Sequence, residues 1–207
     1  MTEQDWMNGT DPTPMLEFLR TNGKATDSKL RLFAVACCRQ VWHSLTDEPS
    51  RKTVEIAEQF ADGLASLSDL QGACDDTWDH VDWGNAPVMS ADRAAACAAE
   101  PISGAFAARD ILTCSGVLVD PCGLLRDIIG NPFRPINFDP DWLSWHDGLL
   151  VSMAQRMYDS RDFSDTPVLA DALEEAGCQD QDVLRHCRSG SEHVRGCWVI
   201  DLLLGKS

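Results

Sequence analysis

Residues 28–45 read SKLRLFAVACCRQVWHSL, and this stretch decides the fold class. Its apolar residues recur at intervals of three and four, the period of one face of an α-helix: they are Leu30, Phe33, Ala34, Cys37, Val41 and Leu45. Ala is abundant in the chain and runs of β-branched residues are absent, which also favours helix over strand. The stretch therefore predicts a buried helix, with Asp27 as its N-cap.

Helix start and stop signals recur on both sides of this stretch. Asp11 and Pro12 supply an N-cap and a first residue for a helix that Gly23 ends. Asp47 and Asp180 open two more helices in the same way. The 207 residues thus predict an all-α protein of about ten helices, one domain overall in two closely packed lobes, 1–117 and 118–207.

Two further helices are predicted towards the C-terminus. Asp147 is expected to cap the helix GLLVSMAQRMYDS, residues 148–160. The last helix is expected to span VRGCWVIDLLL, residues 194–204, and to end at Gly205.

Charge and cysteine content limit the classes of function. The formal net charge is −16, with 33 acidic and 17 basic residues, so nucleic acid is not an expected partner. No apolar run reaches the roughly 20 residues of a membrane helix, so we expect no membrane partner. Nine cysteines without a signal peptide predict free thiols in the cytoplasm.

A Cys/His cluster near the C-terminus is the candidate metal site. Cys187, His193 and Cys197 have the spacing C-x5-H-x3-C, and thiolate and imidazole are ligands that Zn²⁺ prefers. The fourth ligand could be His186, Cys178 or the Cys37–Cys38 pair. No standard zinc-finger spacing is present, so packing as unliganded buried thiols is favoured over Zn²⁺.

Arginines of the same region allow a second interpretation. Arg185, Arg188 and Arg195 could hold an anion at a helix N-terminus. An internal role is favoured, in which they clamp Glu174, Glu175 or backbone carbonyls.

Two other segments could form recognition surfaces. Asp75, Asp76 and Asp79 resemble the aspartate-rich motif of terpenoid synthases, which holds Mg²⁺ against a diphosphate, but no second metal motif accompanies them. We expect a solvated acidic helix face that could meet a basic protein partner. In the loop NPFRP, Phe133 and Arg134 either present a recognition surface or form a buried crossover.

Several stretches together resemble one protein family. They are DPTPMLEFLR, KLRLFAVACCRQVW, LLRDIIGNPFRP, VLADALEEAGC and HVRGCWVIDLLLGK, with GNPFRP and HVRGCW the most specific in combination. The chain is similar to a family abundant in planctomycete genomes that has no established activity. This resemblance implies a cytoplasmic bacterial protein.

The leading functional prediction is a non-enzymatic interaction or regulatory module, and no cofactor is required for it. The chain lacks GxSxG, HExxH, GxGxxG and the P-loop motif. The alternative is a zinc protein or a thiol enzyme that uses the C-terminal Cys/His cluster.

Overall fold

The computed structural model describes residues 1–45, 47–80, 91–101, 103–114, 120–134, 136 and 139–206. Within these ranges the chain forms twelve α-helices and no strand, so the predicted all-α class is confirmed. The chain divides into two compact units, Met1–Leu125 and Arg126–Ser207. The boundary predicted between residues 117 and 118 lies outside the described residues.

The first eight helices begin before the end of the N-terminal unit: α1 (Glu3–Asn8), α2 (Pro12–Asn22), α3 (Asp27–Gln40), α4 (Glu48–Ala61), α5 (Leu67–His80), α6 (Ala91–Ala98), α7 (Gly104–Cys114) and α8 (Pro121–Ile129). The last four belong to the C-terminal unit: α9 (Leu149–Ser160), α10 (Thr166–Glu175), α11 (Gln181–Arg188) and α12 (Trp198–Leu204). Short 3₁₀ helices cover Trp42–Ser44, Pro140–Leu143 and Trp145–Asp147.

Helix α3 is central to the N-terminal unit, as its apolar periodicity predicts. It packs against α4, α6 and α7, and Phe33, Ala34 and Cys37 have no exposed surface. Arg31 is buried with them, and its Nη1 donates hydrogen bonds to the carbonyl oxygens of Ala98 (3.0 Å) and Glu100 (2.8 Å). Since Ala98 is the last residue of α6 and Glu100 lies just beyond it, the buried guanidinium satisfies backbone carbonyls that the helix leaves without a partner.

Most predicted helix caps are observed. The side chains of Asp11, Asp47 and Asp180 accept hydrogen bonds from the backbone N–H groups of the helices that follow them. Gly23 ends α2 with φ of 58°, in the left-handed region. At α3 the N-cap is Thr26, one residue before the predicted Asp27, because the Asp27 carboxylate instead accepts the N–H of Gly104.

Two predicted helix starts are wrong, and each has a local reason. Asp147 does not cap α9, because it lies in the left-handed region (φ 57°) and Gly148 occupies the cap position. The last helix begins at Trp198 rather than at Val194, since residues 194–197 form a turn.

The C-terminal unit has its own apolar core. Helix α9 packs against α10 and α12, and α10 packs against α11. Buried side chains from all four helices meet there: Leu150, Met157, Leu169, Leu173, Val183, Val199, Ile200 and Leu203. None of the helices in the described ranges has the length and apolar character needed to cross a membrane.

Candidate metal centre

Four side chains that can bind a metal converge within the C-terminal unit. Asp127 comes from the last turn of α8, His186 from α11, and His193 and Cys197 from the turn that precedes α12. One donor atom of each lies within 4.8 Å of the donor atoms of the other three. Among the described residues this is the group that could hold a metal ion.

The distances within this cluster, Asp127, His186, His193 and Cys197, are mostly close to those of a tetrahedral site. Asp127 Oδ1 lies 2.6 Å from His193 Nδ1 and 3.2 Å from His186 Nε2. Cys197 Sγ lies 3.2 Å from His186 Nε2 and 3.8 Å from His193 Nδ1. Tetrahedral Zn²⁺ with bonds of ~2.0–2.3 Å places neighbouring donors roughly 3.3–3.6 Å apart. The three longer distances are therefore close to these values, whereas Asp127 Oδ1 and His193 Nδ1 lie at hydrogen-bond distance and would have to separate by about 0.7 Å around a metal.

The turn at residues 193–197 explains why the last helix starts late. Asp127 Oδ2 accepts a hydrogen bond from Val194 N at 2.9 Å, which fixes the start of the turn against α8. Cys197 N donates to Val194 O at 2.9 Å, and Gly196 has φ of 93°, which is readily available only to glycine. The sequence H-V-R-G-C is thus folded so that its first and last residues face Asp127.

Trp198 supports the cluster from outside. Its ring centroid lies 5.0 Å from that of His186, and His186 lies 4.8 Å from His193. Gly130, just after α8, has φ of +73°, and a Cβ atom there would lie 3.1 Å from the Trp198 ring. The GNPFRP and HVRGCW motifs therefore meet at this contact.

The pKa values of Cys197 and Asp127 are shifted in opposite directions. Burial, reinforced by the negative charge of Asp127, raises the pKa of the Cys197 thiol well above its usual value. Burial also acts to raise the pKa of Asp127, but hydrogen bonds from His186 and His193 outweigh it and hold this pKa below the usual value. A bound divalent metal would reverse the preference of Cys197, because a coordinating thiol is deprotonated.

The donor set fits Zn²⁺. Two imidazoles, one thiolate and one carboxylate are ligand types found in four-coordinate zinc sites. The side chains of Asp127, His193 and His186 are 4%, 3% and 15% exposed, and Cys197 is 1% exposed. Four protein ligands in a buried position form a closed site, which is typical of structural rather than catalytic zinc.

The same geometry does not suit a thiol nucleophile. In a catalytic Cys–His–Asp arrangement, one imidazole nitrogen faces the thiol and the other faces the carboxylate. Here a single nitrogen of each histidine faces both Asp127 and Cys197, while His193 Nε2 is buried with no hydrogen-bond partner among the described residues. Because burial keeps the Cys197 pKa high, its thiolate is also disfavoured without a metal.

The sequence-predicted ligands are partly brought together. His186, His193 and Cys197 belong to the cluster, whereas Cys187 does not. Cys187 points into the core of the unit, and burial, with the nearby charge of Asp127, raises its pKa to about 12. Cys178 and the Cys37–Cys38 pair also lie outside the cluster.

Asp127 is the candidate ligand that the sequence interpretation missed. Its neighbours Leu124, Leu125 and Ile128 are buried apolar residues of α8, so an acidic residue interrupts the buried face of this helix. An ionisable side chain in such a position needs a compensating partner. This acidic residue within an apolar helix face was the feature of the sequence that could have indicated a buried site at Asp127.

The arginines of the region act within the protein. Arg188 Nη2 donates to Asp171 (2.7 Å) and Glu174 (2.6 Å), which is the clamp predicted for Glu174. Arg195 Nε donates to the Tyr158 carbonyl at 2.8 Å.

Other candidate residues remain apart from the metal cluster. Arg185 and Arg134 each lie 3.4 Å from a carboxylate oxygen of Asp182. Phe133 is half-buried, and the side chains of Asp75, Asp76 and Asp79 lie on α5, outside the cluster.

The fold and this cluster define an all-α protein with a candidate closed metal centre. In comparisons with known proteins, no family model, no curated protein and no solved structure matches the chain. The resemblance to the planctomycete family stays a prediction from its motifs.

Proposed function

We propose that this is a zinc-binding protein in which one Zn²⁺ ion has a structural role in the C-terminal unit. The observation that carries the proposal is the convergence of four donor atoms within 4.8 Å. Asp127 is 66 residues from His193 in the chain, while His186, His193 and Cys197 come from two neighbouring segments near the C-terminus. The ligands would be Asp127, His186, His193 and Cys197. Zinc would tie α8 to α11 and to the turn before α12, and the geometry favours this alternative over a thiol enzyme.

We propose that the zinc-stabilised chain is a non-enzymatic interaction or regulatory module. A site with four protein ligands leaves no position for a reacting water, which supports a structural function for the metal. The net charge of −16 supports partners other than nucleic acid.

A cytoplasmic location is part of the same proposal. All eight cysteines whose side chains are described are buried free thiols. A reducing compartment keeps thiols in this state and leaves Cys197 available as a ligand.

Metal analysis of purified protein tests the zinc site. We expect one zinc per chain by plasma mass spectrometry after expression with zinc and reductant. Replacement by Co²⁺ should give the visible bands of a tetrahedral ion together with a thiolate-to-cobalt charge-transfer band. Cys197→Ser should remove that charge-transfer band and most of the bound metal.

Cys187→Ser is the matched control, since Cys187 is an equally buried thiol in the same unit. This variant should keep one zinc per chain. Wild-type protein that takes up no stoichiometric zinc, or equal loss of metal in the two variants, would contradict the proposal.

A further inference from the structure

A groove of about 620 Å³ runs along the outer face of α2. The inner face of this helix is buried through Met15, Leu16 and Leu19. Residues on the opposite face recur at helical spacing and line the groove, and α1 and the turn after it supply the other wall. Gly9 permits that turn, because a Cβ atom there would lie 2.6 Å from the Asp5 carbonyl oxygen.

The groove is lined by acidic and apolar side chains. Asp5, Asp11 and Glu17 contribute three carboxylates, while Pro14 and Phe18 contribute apolar surface. No Lys, Arg or His is among the described residues that line it, and the positive group of the lining is the α-amino group of Met1. The groove therefore presents negative charge beside apolar surface.

The hydrogen-bonding groups of the lining are mainly acceptors. The Thr21 hydroxyl donates its proton to the Glu17 carbonyl oxygen at 2.7 Å, so its free capacity is as an acceptor. Asp5 accepts hydrogen bonds from Thr2 and lies near the α-amino group of Met1, while Asp11 accepts one from Thr13 N, so lone pairs remain on both carboxylates. A ligand that fits this lining must bring donors and positive charge.

We propose that the groove binds a basic segment of a partner protein in an extended conformation. Eleven residues of α2 give a length of about 16 Å, which spans about five extended residues. Lysine or arginine head groups would meet Asp11 and Glu17. Their aliphatic stems would cover Pro14 and Phe18, and the Phe18 ring also attracts cations.

This site differs from the acidic face that the sequence predicted on α5. Asp75, Asp76 and Asp79 lie on α5, and none of them lines the groove. The groove along α2 combines charge with concavity and apolar contact, which makes it the better surface for a basic peptide. It lies in the N-terminal unit and does not depend on the proposed zinc site.

Fluorescence anisotropy with a defined probe tests the proposal. The probe is a labelled peptide Lys-Leu-Lys-Ala-Lys with blocked termini, and the same peptide with glutamine at the three lysine positions is the negative control. The test variant is the full-length protein with Asp11→Asn and Glu17→Gln. Asparagine at position 11 keeps the helix cap. Binding should weaken about five- to tenfold in this double variant.

A charge-matched variant separates the groove from the general negative field. Glu55→Gln with Asp75→Asn removes two carboxylates from exposed faces of α4 and α5 in the same unit. This variant should bind within about twofold of wild type, and backbone NMR shifts on peptide addition should be largest in residues 1–22. Equal weakening by both double variants, shifts spread over the surface, or no binding at millimolar peptide would overturn the proposal.

Discussion

Arg31 in the N-terminal unit and Asp127 in the C-terminal unit are both buried charged residues, and their surroundings differ in kind. The guanidinium of Arg31 faces acceptors, namely two backbone carbonyls and the carboxylate of Asp27 at 3.6 Å. The carboxylate of Asp127 faces two imidazole nitrogens, with a thiol beside them. Arg31 donates hydrogen bonds to the groups around it, so its surroundings are satisfied without a ligand. The four donor atoms around Asp127 face one point, and they need a cation or shared protons between them. For this reason the surroundings of Asp127 predict a ligand and those of Arg31 do not.

Removal of zinc should have the largest effect, and it should be confined to the C-terminal unit. A strong chelator added to the zinc-loaded protein should lower the hydrogen-exchange protection of α12 by on the order of 10³-fold, because structural zinc contributes several kcal/mol or more to folding. The amides of α3 provide the internal reference and should keep their protection. A uniform loss in both units would argue against a local role for the metal.

Arg31→Met tests the role of the buried guanidinium in the N-terminal unit. It leaves the buried carbonyl of Ala98 and the part-buried carbonyl of Glu100 without this donor, and we expect a loss of about 2–4 kcal/mol in the free energy of unfolding. Urea denaturation measures it, and zinc content should stay at one per chain. Arg109→Met is the control: Arg109 is 64% exposed, so its ion pair with Asp110 should contribute less than about 1 kcal/mol. Equal losses of unfolding free energy in the two variants would contradict the stabilising role given to the buried Arg31.

Gly130→Ala sharpens the account of how α8 supports the metal site. Alanine must adopt positive φ there, at a cost of about 1 kcal/mol or more, and its Cβ would press on the Trp198 ring that packs against His186. We therefore expect lower stability and weaker zinc affinity. Gly177→Ala is the matched control, because Gly177 also has positive φ but has open space around its missing Cβ. It should lose only the stability that positive φ costs, and it should retain its zinc affinity, as competition with a chromophoric chelator would measure.

The smallest expected effect is the pH dependence that Asp92 gives to the stability of the N-terminal unit. Burial, with the hydrogen bond and charge of Asp47, raises the pKa of Asp92 to about 6 from an ordinary value of 3.8. The folded protein thus holds this proton more tightly than the unfolded chain, so its stabilising effect is present below about pH 4 and is lost as pH rises to 6.

Asp92→Asn should remove that pH-dependent loss. The variant should be more stable than wild type at pH 7, by about 1 kcal/mol or less because solvent screens this half-buried group. The difference between the two proteins should vanish near pH 4 in urea titrations. A constant difference across this range would show that the Asp47–Asp92 pair does not titrate in this way.

Local signals in the sequence were enough to predict much of the fold. The caps at Asp11, Asp47 and Asp180 depend on a side chain and on N–H groups two or three residues away, so short segments predict them. The apolar period of α3 likewise predicts its buried face. These features need no knowledge of distant residues.

The candidate metal site was predicted less well, because long-range contacts build it. Three of its four ligands were candidates from the Cys/His pattern, but Asp127 is 66 residues from His193 in the chain. The hydrogen bond from Val194 N to Asp127 also overrides the helical pattern of residues 194–197. The sequence pattern includes Cys187 and does not single out Asp127, because a thiol indicates a zinc site more clearly than one carboxylate among many does.

X-ray absorption at the zinc edge tests the central claim most directly, because it counts the ligands by element and distance. The account predicts four-coordinate zinc in the purified protein, with one sulfur at ~2.3 Å and three nitrogen or oxygen neighbours at ~2.0–2.2 Å, two of them showing the scattering pattern of imidazole. Protein that cannot be loaded with zinc, two or more sulfur ligands, or six-coordinate zinc with only oxygen and nitrogen neighbours would contradict the assignment of Asp127, His186, His193 and Cys197.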